Sequence, residues 1–293
     1  MHDHLIRVTA PGVRAFAAVT TQLTEEARRR HNCYPVAAAA LGRTMTAALL
    51  MAANLKTTEE SITVRIKGDG PLGEIVADAC AAGSVRGYVR HPQIDLPLRG
   101  GKLDVGGAVG AGQLNVTRFN DRKQPFTGTC DLVSGEIAED VTQYLTVSEQ
   151  TPSSVGLGVL VQPDLSVSAA GGFILQVMPG ITEEVLERLE KNLSVLPSVT
   201  NILSARPEAQ ALTELLFDGL PTTFHDSMPV QFQCTCTRQR VQNMLVSLGQ
   251  TEVASMHDEG KAEIICHFCG EKYFFTQEEL GYTLSLLNNN EVQ

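Results

Sequence analysis

Two cysteine pairs constrain this chain more than any other feature: Cys234-Thr235-Cys236 and Cys266-His267-Phe268-Cys269. In an extended chain, residues two apart point to the same face, so Cys234 and Cys236 present both sulfurs on one side. The wider spacing of the second pair suits a tight turn that presents two more, and Gly270 supplies the backbone freedom such a turn needs. Two same-side pairs on separate segments make a four-thiolate cage. Zinc takes four tetrahedral ligands, with sulfur its usual donor in structural sites. The expected ligands are therefore Cys234, Cys236, Cys266 and Cys269, holding one zinc ion while reduced; His267 is read as a bystander. Four thiolates leave no open coordination position, so a hydrolytic zinc is not expected, and no catalytic residues are assigned.

The sequence around the cage explains the need for a metal. A helix is expected from Gln239 to Leu248, burying Val241, Leu245 and Leu248. Ala262 to Ile265 and Tyr273 to Phe275 read as a hairpin around the second cysteine pair, and Thr276 with Glu279 forms a capping-box pattern for a final helix. So few apolar residues make a poor core, which a structural metal supplements. Two rival readings lose ground. A nucleic-acid-binding zinc ribbon needs a basic surface, but Arg238, Arg240, Lys261 and Lys272 face Glu252, Asp258, Glu259, Glu263 and Glu271, and the whole chain carries a net charge of −10. A thioredoxin-like enzyme needs its CxxC at the start of a helix in a βαβ unit, which is not the setting here. The CxC half is unusual, because a disulfide across so small a ring is strained and easily reduced. Such spacing suits a site that opens and recloses; a purely structural zinc is the alternative.

The rest of the chain reads as a larger α+β domain. Leu5 to Thr9 and Val13 to Val19 are expected strands around a Pro11-Gly12 turn. A helix follows from Thr21 to His31, with Glu25 and Glu26 placed in its first turn and Arg28, Arg29 and Arg30 in its last. Val36 to Leu55 is apolar enough to suggest a membrane span, but its Ala content and Arg43 favour a buried core helix starting at Pro35. Strands are expected from Ser61 to Val89, at Leu114 to Phe119, Val155 to Gln162 and Gly172 to Met178. The glycine-dense stretch from Gly100 to Gly112 lacks a phosphate-loop pattern and reads as tight turns between strands. After Pro179-Gly180 come amphipathic helices without a strand, the first with Thr182 as cap and Val185, Leu186, Leu189 and Leu193 as its apolar face. The expected organisation is a mixed α/β core with a sheet packed on helices (1–179), a helical linker (180–229) and a small zinc-binding α+β domain (230–293). The N-terminus lacks a basic-then-apolar leader, so a cytoplasmic protein is expected. Cys33, Cys80 and Cys130 are scattered and are read as small buried hydrophobes.

Several stretches match a known family in order along nearly the whole chain: RIKGDGPLG (65–73), VRGYV (85–89), KLDVGGAVG (102–110), LVSGEIAEDVTQYLTVSEQTPS (132–153) and AAGGFILQVMPG (169–180). The metal unit matches through CTCTRQRVQNMLVSLG and GKAEIICHFCGEKYFF. The chain resembles the redox-regulated chaperones of the thirty-three-kilodalton bacterial heat-shock family. Thr237 and Gln239 stand where that family more often has Ser and Glu, and Cys130 where a non-cysteine is expected. The resemblance implies an ATP-independent holdase rather than an enzyme, inactive while reduced and zinc-bound. It implies that oxidation forms the disulfides Cys234–Cys236 and Cys266–Cys269 and expels zinc. It further implies that unfolding client proteins are the partners, that the oxidised form is a homodimer, and that neither nucleic acid nor membrane is bound.

Overall fold

The computed structural model describes residues 2–120 and 123–290. The chain divides into two compact units, one running to Gln233 and the other starting at Cys234.

The first unit is built on two sheets and a central helix. The strands β1 (His4–Ala10), β2 (Val13–Val19), β3 (Ser61–Gly68), β4 (Glu74–Cys80) and β5 (Ser84–Val89) are joined by α1 (Thr21–His31) and α2 (Pro35–Ala52). Then follow α3 (Val105–Val109), β6 (Gly112–Asn120), β7 (Lys123–Asp131), α4 (Ala138–Val147), β8 (Ser153–Val161) and β9 (Val167–Val177). The helices α5 (Glu183–Ser194), α6 (Val199–Ala205) and α7 (Ala209–Leu216) precede three two-residue strands, β10 (Thr223–Phe224), β11 (Met228–Pro229) and β12 (Gln231–Phe232). One sheet has the order β10-β1-β2-β9-β8, with β11 also pairing with β1; the other has the order β12-β5-β4-β3-β6-β7.

The two sheets follow different sequence patterns because they are buried differently. In β3, Ile62, Val64 and Ile66 are fully buried while Thr63, Arg65 and Lys67 are not, the period-two signature of a sheet with one wet face. In β2 there is almost no polar alternation. Phe16 and Ala18 join the core around α2, while Ala15, Ala17 and Val19 join a second core on the opposite face. That second core is completed by Leu189 of α5, Ile202 and Leu203 of α6, and Leu212 and Leu216 of α7. The segment expected as a linker thus packs on one face of the first sheet.

The helix α2 is buried along nearly all its length between strands of both sheets, as a core helix and not as a lipid-facing one. Its alanines leave room for close packing, and Gly42 lies so near Thr24 and Val159 that a Cβ there would collide with both. Arg43 is accommodated by an ion pair with Glu136 at 2.6 Å. Glu136 also accepts from the backbone N–H of Gly106. Just beyond it, the buried Asp140 accepts from the backbone N–H groups of Val133, Ser134, Gly135 and Ile137 at 2.7–3.3 Å. These bonds hold Ile137 at φ 71°, a conformation costing a β-branched residue about 1–3 kcal/mol.

Several local expectations are corrected. Glu25 and Glu26 fall in the second turn of α1, because the helix starts at Thr21, and there they pair with Arg28 and Arg30 at 2.8 and 2.7 Å. The acid at the helix start is instead Asp3, whose buried carboxylate accepts from Gln22 and Leu23 N–H at 3.1 and 2.7 Å. The glycine stretch contains the short helix α3 as well as turns. Thr182 occupies the cap position of α5 without a side-chain cap bond, and Leu186 lies outside the buried face. The linker is not free of strand, since Thr223–Phe224 and Met228–Pro229 pair antiparallel with β1. Segments this short carry no periodicity to read. Of the three scattered cysteines, Cys33 is buried, with its thiol pushed up to about 12 by that burial, whereas Cys80 and Cys130 are half-buried.

The second unit contains α8 (Arg238–Leu248), α9 (Gln250–Asp258), β13 (Lys261–Ile265), β14 (Lys272–Thr276) and α10 (Gln277–Asn290). Its core is Val241, Leu245, Val253, Ala262, Phe275 and Leu280. Leu248, expected inside, is 48% exposed. The capping box at the start of α10 is present: Glu279 accepts from Thr276 N–H at 2.9 Å, and Thr276 Oγ1 from Glu279 N–H at 3.4 Å.

Candidate metal centre

The hairpin β13–β14 places the second cysteine pair. Its strands are in register from Lys261↔Thr276 to Ile265↔Lys272, so Cys266 to Glu271 form the connecting turn. Within it, Cys266 N–H donates to the Glu271 carbonyl at 2.9 Å, and Gly270 N–H to the Cys266 carbonyl at 2.8 Å. Gly270 has φ 70°, the left-handed conformation that this close return of the chain requires.

The first pair is held from the start of α8. Thr237 caps that helix by accepting from Arg240 N–H at 3.2 Å. The Arg240 guanidinium donates to the Thr235 carbonyl, between the two cysteines, at 2.9 Å. Arg238 donates to the Phe274 carbonyl at 2.7 Å and to Glu279 at 2.6 Å, while its guanidinium lies 4.6 Å from the centre of the Phe275 ring. The CxC segment is therefore tied to both strand β14 and helix α10.

All four sulfurs expected as ligands are brought together. Cys234, Cys236, Cys266 and Cys269 Sγ lie within 4.8 Å of one another. The distances Cys234–Cys266 and Cys236–Cys269 are 3.8 and 3.4 Å, and no disulfide joins any of the seven cysteines. A tetrahedral ion with metal–sulfur bonds of about 2.3 Å requires sulfur–sulfur edges of about 3.8 Å. The set fits such an ion in number, spacing and softness. Burial pushes the Cys269 and Cys266 thiols upward, and the crowding of neighbouring sulfurs adds to it. A divalent cation among them inverts this balance and holds the sulfurs as thiolates.

One contact was not legible from spacing. The Tyr273 hydroxyl donates to Cys236 Sγ at 3.1 Å. The alternation of β14 could have indicated which side Tyr273 faces, but not that it reaches a sulfur from a distant segment.

Fold and site together define a two-unit protein with a large α+β body and a small unit in which four cysteines converge. Comparison with known proteins carries this further. Residues 3–276 match the Hsp33 protein family. The chain is 52% identical to the 33 kDa chaperonin of Desulforamulus reducens, over 99% of this chain and 100% of that one. It is 45% identical to the 33 kDa chaperonin of Staphylococcus aureus, over 98% of this chain and 99% of that one. The crystal structure of the 33 kDa chaperonin (heat shock protein 33 homolog) of Thermotoga maritima superposes with a TM-score of 0.91 at 37% identity, covering 98% of this chain and 99% of that one. The chain belongs to the Hsp33 family.

Proposed function

We propose that this protein is a chaperone of the holdase type, switched on by oxidation of its four-cysteine centre. The observation that carries the reading is the convergence of four thiols in a unit whose own core is small. Zinc is the proposed ion, because four thiolates in a tetrahedron suit it and leave no coordination site for hydrolysis. When bound, it supplies folding energy to the second unit.

Oxidation removes the donors. Each thiolate that attacks hydrogen peroxide becomes a sulfenic acid and releases hydroxide. A second thiolate then displaces another hydroxide and closes the disulfide, so two peroxides oxidise four thiolates by four electrons. The proposed pairs are Cys234–Cys236 and Cys266–Cys269. Pairs that close such small rings leave the two segments untied, whereas pairs across the cage would staple them together. The unit would then unfold without its metal.

The proposed organisation is a chaperone core (1–179), a linker (180–229) and a redox unit (230–293). Release of α5, α6 and α7 would bare a face that includes Ile6, Val8, Val13, Phe173 and Leu175. Such a surface offers unfolding proteins apolar area without ATP, and the active oxidised form is proposed to be a homodimer in the cytoplasm.

The test treats zinc-loaded protein with peroxide at heat-shock temperature. Zinc release is followed with a chelating dye, and light scattering reports the aggregation of a thermally unfolding client. Zinc loss accompanied by less scattering, both reversed by a reductant, supports the switch. Zinc loss with unchanged scattering makes the cysteines a structural staple, and the protein a zinc-ribbon interaction module.

A further inference from the structure

The Tyr273–Cys236 contact ties a phenol to one sulfur of the centre. Tyr273 sits on β14 opposite Ile264 of β13, and its ring packs against the core of the second unit. The hairpin therefore fixes the hydroxyl, which lies 3.1 Å from Cys236 Sγ. The same sulfur is followed directly by the capped start of α8 and lies 3.4 Å from Cys269 Sγ. Cys236 is thus held from three directions: by its helix, by its neighbouring ligand and by a donor outside the ligand set.

A hydrogen bond donated to a thiolate withdraws electron density from sulfur and fixes its direction. Partners of this kind outside the ligand set typically change metal affinity by about 10–100-fold. The same withdrawal makes the sulfur a poorer nucleophile toward peroxide.

We propose that Tyr273 is a positioning residue of the switch, whose hydroxyl holds Cys236 on the metal and raises the oxidant dose needed to open the centre. The inference rests on the redox reading above. The step it slows is the attack of Cys236 thiolate on hydrogen peroxide, which forms the sulfur–oxygen bond of a sulfenic acid, breaks the peroxide bond and releases hydroxide.

The test compares full-length wild type with Tyr273→Phe, which keeps the ring and removes the donor. Tyr273→Phe is expected to bind zinc roughly tenfold more weakly. It should also shed zinc severalfold faster in peroxide, with Cys236 modified earlier than in wild type by mass spectrometry of partly oxidised samples. With cobalt(II) in place of zinc, its sulfur-to-metal charge-transfer band should move to longer wavelength, because the sulfur lone pair is no longer stabilised. Replacing all five tyrosines with 3-fluorotyrosine strengthens the donor without changing the chain, and it should move zinc release and the cobalt band the opposite way. Ile264→Ala loosens the same hairpin without touching sulfur, and should hasten modification of all four cysteines alike. The proposal is overturned if Tyr273→Phe behaves like Ile264→Ala, or if either tyrosine change leaves release rate and cobalt band unmoved. Client scattering is recorded in parallel. Wild type that sheds zinc without protecting a client sinks the chaperone switch, yet the metal readouts still decide the role of Tyr273.

Discussion

The two units are stabilised in opposite ways. In the first, α2 is enclosed between two sheets and a second core lies beyond, so backbone and side chains are organised around buried apolar layers. In the second, a small apolar cluster joins three helices and a hairpin, and four sulfurs converge where the CxC segment meets the hairpin turn. In a body with its own apolar layers, losing one contact lowers stability without removing the core. On the proposed metal-bound reading, the second unit instead ties its fold to the chemistry of its four sulfurs. Under the proposed switch, the contrast teaches how oxidation of four sulfurs would act on the second unit and spare the first.

The contrast is broken or sharpened first by taking the metal away. Stripping it with a chelator, or replacing Cys269 by Ser, should abolish hydrogen-exchange protection from α8 to α10 and leave β2, β3 and α2 protected. Structural zinc contributes on the order of 10–16 kcal/mol in small zinc-binding peptides. A second unit that stays protected without metal would show that its core suffices. Next in size, Asp140→Ala should destabilise the first unit by about 3–5 kcal/mol, because four backbone N–H groups, those of Gly135 and Ile137 buried, lose their acceptor. The urea midpoint of a β3 or α2 probe should fall, with zinc content unchanged. The smallest effect is expected at Thr237→Ala, which removes the cap of α8 and costs about 1 kcal/mol. It should appear as faster exchange in α8 alone, and spread of the effect to α2 would erase the distinction between the units.

How much of this was legible in the sequence follows from the range of the forces involved. The strand β3 announces itself because one face is wet, and the cysteine cage because ligand spacing is local on each segment. The strand β7 went unread: its KQPFTGTCD carries Pro and Gly at an edge position and buries no regular face. Helices α4 and α9 were missed too, α4 because its first turn depends on Asp140 folding back onto a loop. Asp3 at the start of α1 and Tyr273 at Cys236 arise from approaches between distant segments, which no window along the chain contains. The apolar faces of α5 to α7 were visible as stripes, but not the sheet face they would meet.

One feature of the core bears on how the protein is made. The helix α2 is apolar enough to cross a membrane, yet it is buried by strands that extend to Val177. On a ribosome, Pro35–Ala52 emerges well before those strands exist. At about 5–20 residues per second, it waits roughly ten seconds for its last covering strand. During that interval it is an uncovered apolar segment within reach of the machinery that sorts membrane proteins. Arg43, which later pairs with Glu136, travels in its middle and raises the cost of insertion by about 2.5–3.5 kcal/mol. The ion pair that settles the folded core thus begins as a lone charge that counts against insertion of the nascent helix.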